Sequence, residues 1–556
     1  MKNLPSVQLS RDQFPWLMAA LLYLISYGVT FLYLDAIYWD DWVLFNVEPE
    51  IIIDTFKQAG LPFAWAGHLH VGLLKVGPEI YRILTFILMF LSGYLLWLII
   101  GSIAAINQLE RNLIALFFLI LPLNAARVAL INFPSTLCHF SFFLAWYLLV
   151  CRTGFISKGL SLLLFLFSFT VNSLLVFYAL PIAHAVYLSA GFNLKKTVMW
   201  ASKSFLFLMA PFVWFYVKTH YFAPNGLYAE SHALKLDEVL KGLSLGAPLV
   251  IIFITWLVKM RQGKSNPVDG GLALLFWGAV ITWLAVFPYV AAGRLQSLGD
   301  WQSFHDWQSR HQLLIPLGAA VAMVGAHSWI SRGNTLRFAA LALLVFGVVF
   351  TWLAVFPYLA VGRLPSFDDW QSRYRLLMPF ASAVAIVGAA SWISYGNAVR
   401  FALLALAISS LVNLYVALEY HVDWIKQREV LQLISRSDEI KAARTILFDD
   451  RAAYFNARGR TYRFYEYNGW FKFVYGDQTR WGMDQEAWEG PLTAQLPDQY
   501  KQCISKHYNA SEYIRSAPDL IVRIQSTNGR LKTLITGSGG FSLDIKKLPQ
   551  MPTDLL

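Results

Sequence analysis

Apolar runs of membrane-spanning length recur along most of this chain, and they constrain its fold more than any other feature. A helix needs about 20 apolar residues to cross a bilayer. With 57% hydrophobic and only 14% charged residues among 556, the chain has more apolar surface than one soluble core buries. We therefore predict an all-α polytopic membrane domain of about thirteen helices. The runs lie near residues 14–34, 82–106, 113–123, 135–151, 159–171, 174–190, 198–217, 241–258, 271–289, 313–330, 338–357, 376–394 and 401–419.

The positive charges predict how these helices are oriented. The net charge is +11, and most of the excess falls in short loops that share one side when the helices are threaded in order. Such loops are typically cytoplasmic, so the amino terminus is predicted to lie in the cytoplasm. Topology explains the charge without a nucleic-acid partner. The opposite side receives loops near residues 35–81, 124–134, 218–240, 290–312 and 358–375.

The composition changes abruptly near residue 421, where charged residues mix with short apolar stretches such as Leu520–Ile524. This pattern is typical of a small α/β domain. We predict a membrane domain over residues 1–420 and a soluble extracytoplasmic α/β domain over residues 421–556. Its aromatic cluster fits either glycan binding or a small hydrophobic core; the cluster consists of Tyr462, Tyr465, Tyr467 and Trp470.

A tandem repeat occupies residues 282–331 and 351–394. The segment Thr282–Tyr289 recurs as Thr351–Tyr358, and each copy predicts a helix, an outer loop and a returning helix. The two copies have the same orientation, whereas many secondary transporters are built from inverted halves. The repeat therefore weakens a transporter interpretation.

An acidic-aromatic segment, Tyr38–Val43, follows the first apolar run. Its adjacent carboxylates, Asp40 and Asp41, repel each other, which favours either a general base with a raised pKa or a pair of ligands for a divalent cation. The alternative is a pair of interfacial acids facing water. The flanking Trp39 and Trp42 fit substrate binding or an aromatic belt at the membrane surface.

These features together resemble the glycosyltransferase C superfold, which includes the protein O-mannosyltransferases, the lipid A aminoarabinose transferase and the oligosaccharyltransferase catalytic subunit. The shared features are many short-looped helices, an acidic pair after the first span, a long first outer loop at 35–81 and an outer carboxyl-terminal domain. The resemblance implies that Asp40 is the catalytic carboxylate and Asp41 its partner or a metal ligand. Several members of the superfold have a second acidic site in the next outer loop, but residues 124–132 contain no acid.

Cations are needed where a phosphate leaving group develops negative charge, and the guanidinium fork of arginine suits that task. Four arginines lie in predicted outer loops or at their helix junctions and are candidates to bind a donor phosphate: Arg127, Arg310, Arg373 and Arg375. Ordinary pairing with nearby acids or snorkelling toward the membrane surface is the alternative role.

Two histidines of the first outer loop, His68 and His70, would share one face if the segment were extended. Together with the acidic pair they would then form a candidate metal or substrate site. Local hydrogen bonding is the commoner role of such histidines. A divalent cation is therefore an option rather than a requirement.

The resulting hypothesis is an integral membrane glycosyltransferase, with Asp40 as base, in a bacterial inner membrane. Its predicted partners are a polyprenyl-phosphate sugar donor, membrane lipids, and an envelope glycan, lipid or protein acceptor. An O-antigen polymerase or ligase that relies on the outer-loop arginines is the first alternative. A lipid or sugar transporter is less favoured, because its charges would lie within the spans near the midplane.

Overall fold

The computed structural model of this chain describes residues 16–45, 47–102, 108–120, 125–171, 174, 178–190, 194–223, 225, 395–476, 480–485 and 518–548. Five predicted spans lie outside the described residues: 241–258, 271–289, 313–330, 338–357 and 376–394. Both copies of the tandem repeat lie outside them as well.

The described part of the chain is mostly helical. Within it, four helical stretches are long and apolar enough to cross a membrane, and a bent helix pair makes a fifth. These candidate spans support the prediction of an integral membrane protein. The four stretches are Trp16–Tyr33, Pro78–Ile100, Leu130–Cys151 and Leu403–Arg436. The α-helices are α1 Trp16–Tyr27, α2 Pro49–Gln58, α3 Trp65–Leu74, α4 Pro78–Ile100, α5 Gln108–Ile120, α6 Phe133–Cys151, α7 Phe155–Ser168, α8 Ala179–Ala190, α9 Leu194–Lys203, α10 Phe205–Tyr221, α11 Tyr395–Arg436, α12 Asp438–Ala442, α13 Phe464–Tyr475 and α14 Arg530–Thr536.

The bent pair corrects one predicted span. The run 198–217 was predicted as a single helix, but α9 and α10 are separated at Ser204 and differ in direction by 61°. The first helix also changes character, since α1 gives way to a 3₁₀ helix over Gly28–Tyr33. Apolar composition predicts that a segment is helical, but it does not show where the helix breaks.

Contacts along α1 establish the directions of its neighbours. The ring centroids of Trp16 and Trp97 lie 6.5 Å apart, and the Tyr23 hydroxyl donates to the Phe86 carbonyl at 3.1 Å, so α4 runs antiparallel to α1. The Tyr38 hydroxyl, beyond the end of α1, donates to the Tyr420 carbonyl of α11 at 2.7 Å. Tyr23 also shares a buried cluster with Leu406, so α11 runs parallel to α1.

Three predicted loops meet at the end of the bundle where α1 finishes, which we call the domain end. The Asn225 amide donates to the Gln58 carbonyl at 3.0 Å, and the rings of Phe63 and Phe222 lie 5.0 Å apart. The loop at 124–134 joins them through Asp41, as described below. The loop at 35–81 is itself largely helical, because it contains α2 and α3.

A four-stranded mixed sheet follows α11 and confirms the predicted α/β character of the carboxyl-terminal region. Its strands are β1 Thr445–Asp450, β2 Trp481–Met483, β3 Leu520–Ser526 and β4 Phe541–Lys547. The order is β2-β1-β3-β4, with β1 parallel to β2 and β3 and with β4 antiparallel to β3. Alternate residues of β3 are buried, as expected for a strand with one covered face.

One helix belongs to both the bundle and the sheet region. α11 continues to Arg436, and its residues Val430 and Ile434 are buried with Phe448 of β1 in one hydrophobic cluster. That cluster also contains Tyr38 and Trp42 from the loop that follows α1. Three of the four residues in the predicted aromatic cluster are buried in the same core: Tyr462, Tyr467 and Trp470.

Candidate functional site

The acidic pair lies in a 3₁₀ turn, Trp39–Val43, at the domain end of the bundle. Trp39 adopts a left-handed backbone conformation with φ of +52°, which is unfavourable for a bulky L-residue. Such backbone strain persists only where surrounding contacts hold it, and it is common at functional sites. The turn buries both acids, since Asp40 is 3% exposed and Asp41 is fully buried.

Asp41 is held by backbone amides. Its Oδ2 accepts from the Leu130 amide at 2.9 Å and, more weakly, from the Tyr38 amide at 3.4 Å, while Oδ1 accepts from the Ile131 amide at 2.9 Å. Burial raises the pKa of Asp41 to about 6, although the Ile131 and Leu130 amides and the charge of Arg82 oppose that rise. Asp41 therefore links the loop that follows α1 to the segment that precedes α6.

Asp40 differs from Asp41 in its surroundings. It follows the strained Trp39 directly, whereas the Tyr38, Leu130 and Ile131 amides donate to Asp41. The resemblance stated above implies that Asp40 is the base. Asp41 has a structural part, because both of its oxygens accept from backbone amides.

The two tryptophans of the turn pack against the carboxyl-terminal region. Trp42 donates from Nε1 to Gln427 Oε1 at 3.1 Å, and its ring contacts those of Trp470 and Phe473 on α13. Trp39 lies edge-on to the Tyr420 ring, with centroids 5.5 Å apart. Both side chains are buried in protein. The acidic turn is thus held between α11 and the sheet region.

The predicted pairing of His68 with His70 is wrong, because the segment is helical rather than extended. Residues two apart on α3 point to nearly opposite sides. His68 is exposed, whereas His70 is buried, stacks on Phe56 and hydrogen-bonds Tyr81 at 3.0 Å through Nδ1. Among the described residues, no group of three or more His, Cys, Asp or Glu side chains is arranged to hold a metal ion.

Arg127 lies in the same segment before α6 that binds Asp41. It belongs to a 3₁₀ turn, Ala125–Val128, which precedes Leu130 by two residues. Its guanidinium stacks over the ring of Tyr27 and hydrogen-bonds the Tyr23 side chain. The structure thus brings the segment carrying Arg127 to the acidic turn. The other three predicted arginines, Arg310, Arg373 and Arg375, lie outside the described residues.

Sequence reasoning missed a buried cation beside the acidic pair. Arg82 is the fifth residue of α4 and is 5% exposed. Its Nη2 donates to the Ala36 carbonyl at 2.6 Å, and its guanidinium lies 5.5 Å from the ring centroid of Tyr38. An ionisable residue buried in protein within an apolar segment is rare and usually functional, and the sequence shows the charge at position 82 although it does not show the burial.

A buried charge network behind the turn was also missed. Lys426 of α11 donates to both oxygens of Asp450, at 2.7 and 2.6 Å, and to Asn456 at 2.7 Å. Arg460 forms a bidentate pair with Glu466 at 2.6 and 2.8 Å. Because unpaired buried charges are strongly destabilising, the Lys426–Asp450 pair requires the correct docking of the sheet region on α11.

Asp423 connects this network to the acidic turn. It accepts hydrogen bonds from the Tyr462 hydroxyl and from Gln427, the residue that also accepts from Trp42. Arg460, whose Nη2 lies 3.8 Å from Asp423, has its guanidinium 5.6 Å from the ring centroid of Trp39. Both tryptophans flanking the acids are therefore in contact with groups fixed by the network.

A comparison of the chain with models of known protein families, with curated proteins and with solved structures finds no match.

Proposed function

We infer that this chain is an integral membrane glycosyltransferase that moves a sugar from a polyprenyl-phosphate donor to an envelope glycan, lipid or protein. One observation carries the proposal: a buried carboxylate pair in a strained turn, clamped between the bundle and the sheet region. Burial and strain together are costly, and such costs are usually retained for chemistry. The position at the end of several apolar helices suits a substrate with a lipid tail.

The two acids have different roles in this proposal. Asp40 accepts the proton of the acceptor hydroxyl as that oxygen bonds to the anomeric carbon of the sugar. The bond from the anomeric carbon to the phosphate oxygen breaks in the same step, and the polyprenyl phosphate leaves with the electron pair. Direct displacement inverts the anomeric centre. Asp41 acts as a positioning residue, since its oxygens hold Leu130 and Ile131.

Negative charge develops on the departing phosphate and needs a cation. Arg127 supports this step because its segment is attached to the acidic turn through Asp41. Arg310, Arg373 and Arg375 stay candidates from the sequence. Trp39 and Trp42 contribute by fixing the turn through their protein contacts.

The proposed architecture has about thirteen spans, with the start of α1 at the cytoplasmic face of a bacterial inner membrane. The 421–556 region then lies outside the cytoplasm. The parallel directions of α1 and α11 support an odd total of crossings, because the two helices end on the same side. An odd total agrees with thirteen.

An O-antigen polymerase or ligase is the alternative. Its chemistry would depend on arginines that handle a lipid pyrophosphate, and the buried Arg82 at the domain end favours it as much as it favours a transferase. A transporter gains no comparable support from the described residues, where the acidic pair lies in a loop at one end of the bundle.

The test is sugar transfer from a labelled polyprenyl-phosphate donor in membranes containing the wild type, Asp40→Asn or Asp41→Asn. We expect Asp40→Asn to lower transfer by about 10²- to 10⁴-fold with donor binding retained. Asp41→Asn should lower transfer and thermal stability together, because its partners are structural. Asp35→Asn is the matched control, because this acid of the same loop is exposed and accepts a hydrogen bond from Trp424 Nε1 at 3.1 Å. Wild-type transfer by Asp40→Asn would favour the polymerase or ligase.

A further inference from the structure

Arg82 is a buried cation whose hydrogen-bonding capacity is only partly used. Its Nη2 reaches the Ala36 carbonyl, but its Nε and Nη1 atoms are buried without a hydrogen-bond acceptor in the described part of the chain. Asp41 is near enough to interact with it electrostatically, yet the oxygens of Asp41 are bound by backbone amides. Buried donors of this kind are costly unless a partner binds them.

Aromatic rings line the space around this guanidinium. Its carbon lies 5.8 Å from the ring centroid of Tyr33 and 5.5 Å from that of Tyr38. Ring faces attract a cation, but they do not replace the in-plane acceptors that a guanidinium fork requires. The two tyrosine rings therefore stabilise the positive charge of Arg82 and leave its Nε and Nη1 donors for a ligand.

A second arginine shares this tyrosine cluster. Arg127 stacks over Tyr27, and its Nη2 is likewise buried with no acceptor among the residues described. Tyr33 shares one buried cluster with Val128 and Ala129, the two residues that follow Arg127, and its ring lies 5.8 Å from the guanidinium carbon of Arg82. Two cations beside one tyrosine cluster repel each other, and an anion between them would turn that repulsion into attraction.

We propose that Arg82 and Arg127 form a phosphate-binding site at the domain end of α1 and α4, with the Tyr33 hydroxyl as a further donor. Two guanidinium forks match the tetrahedral oxygens of one phosphate better than they match the two oxygens of one carboxylate. The phosphate belongs either to a lipid headgroup or to a free anion. As a site for the donor's phosphate it rests on the proposed function, but phosphate binding itself is measured without any sugar transfer.

The experiment titrates the full-length chain with two probes. One is inorganic phosphate, and the other is polyprenyl phosphate in phosphatidylcholine nanodiscs, with polyprenol as the uncharged control. We expect saturable binding of a phosphate probe, no comparable binding of polyprenol, and a loss of affinity of about tenfold or more in both Arg82→Gln and Arg127→Gln. Preference for the lipid probe identifies a headgroup site, and equal affinity for inorganic phosphate identifies a free-anion site.

Arg111→Gln is the matched control. Arg111 is also buried and lies over an aromatic ring, that of Trp97, but it sits at the opposite end of the bundle. Phosphate affinity should be unchanged in this variant. Arg82→Lys keeps the positive charge but loses the guanidinium fork, so it provides a second test if Arg82→Gln does not fold. We expect its phosphate affinity to lie between those of the wild type and Arg127→Gln.

Three outcomes would overturn the proposal: no phosphate binding by the wild type, wild-type affinity in both Arg82 variants, or an equal loss in Arg111→Gln. Asp40→Asn separates this proposal from the proposed function. If that variant transfers sugar normally while the arginine variants lose phosphate binding, the site stands and the base assignment fails. If Asp40→Asn abolishes sugar transfer but the wild type binds no phosphate, the base assignment stands and the phosphate site fails.

Discussion

Replacing Gly469 with alanine is expected to weaken the docking of the sheet region on the acidic turn. Gly469 lies in α13, where an added Cβ would approach the Cβ of Trp42 to 2.7 Å and its carbonyl oxygen to 3.1 Å. Neither atom moves when a side chain changes rotamer. The clash is relieved only if α13 and the acidic turn separate.

The magnitude follows from two opposing effects. Overpacking a well-packed contact costs about 1–3 kcal/mol, whereas replacing a helical glycine with alanine contributes about 1 kcal/mol of stability. The net result for Gly469→Ala is a loss of about 0–2 kcal/mol in the free energy of unfolding. Gly159→Ala in α7 is the control, since nothing lies within 4 Å of its added Cβ. That variant should be more stable by about 0.5–1 kcal/mol.

The assay compares denaturant unfolding of both variants with the wild type in the same detergent. Limited proteolysis of the sheet region provides a second readout, because a loosened domain is cut faster. Gly469→Ala should be the less stable variant by about 1–3 kcal/mol. If it were as stable as Gly159→Ala, the close packing of α13 on Trp42 would be refuted.

Two further predictions concern buried charges. Burial raises the pKa of Asp41 from 3.8 to about 6, so the folded chain binds this proton more tightly than the unfolded chain does. The contribution of the Asp41 proton to the free energy of unfolding is therefore full below about pH 4 and is lost as the pH rises through 6, a change of about 3 kcal/mol. Asp41→Asn should abolish this part of the pH dependence of stability. A wild-type pH profile in that variant would contradict the raised pKa of Asp41. Lys426→Met leaves Asp450 buried without its cation and should cost about 3–5 kcal/mol, whereas Arg451→Ala removes an exposed partner of Asp449 and should cost less than about 1 kcal/mol. Equal melting temperatures for these two variants would contradict the network.

The helical bundle was predictable because apolar runs of spanning length are a local property of sequence. The run 82–106 corresponds to α4, and the run 135–151 corresponds to α6. The sheet was predictable for a similar reason, since Leu520–Ile524 alternates around a buried face. Helix breaks were not predictable, because the bend at Ser204 depends on packing rather than on composition.

The candidate site was predictable only in part. The position of the acidic pair was evident, but the partners of Asp41 are backbone amides about 90 residues later in the chain, and amides carry no residue-specific signal. The charge network is equally non-local, since Asp423 meets Tyr462 across 39 residues. Arg82 was identifiable from the sequence as a charge at the edge of an apolar run. The sequence-based prediction used position 82 only as the start of a helix.

The continuity of α11 bears on how the protein is made. The core of the sheet region contains Val430 and Ile434 from the end of this helix, together with Tyr38 and Trp42 from the beginning of the chain. That core is complete only after the ribosome has produced both ends and α11 has entered the membrane. Folding of the sheet region therefore depends on α11 and on the loop that follows α1. If the chain were cut at residue 421, Lys426 and the sheet region would be separated from the apolar part of α11. The sheet would then lack the continuous helix on which it packs.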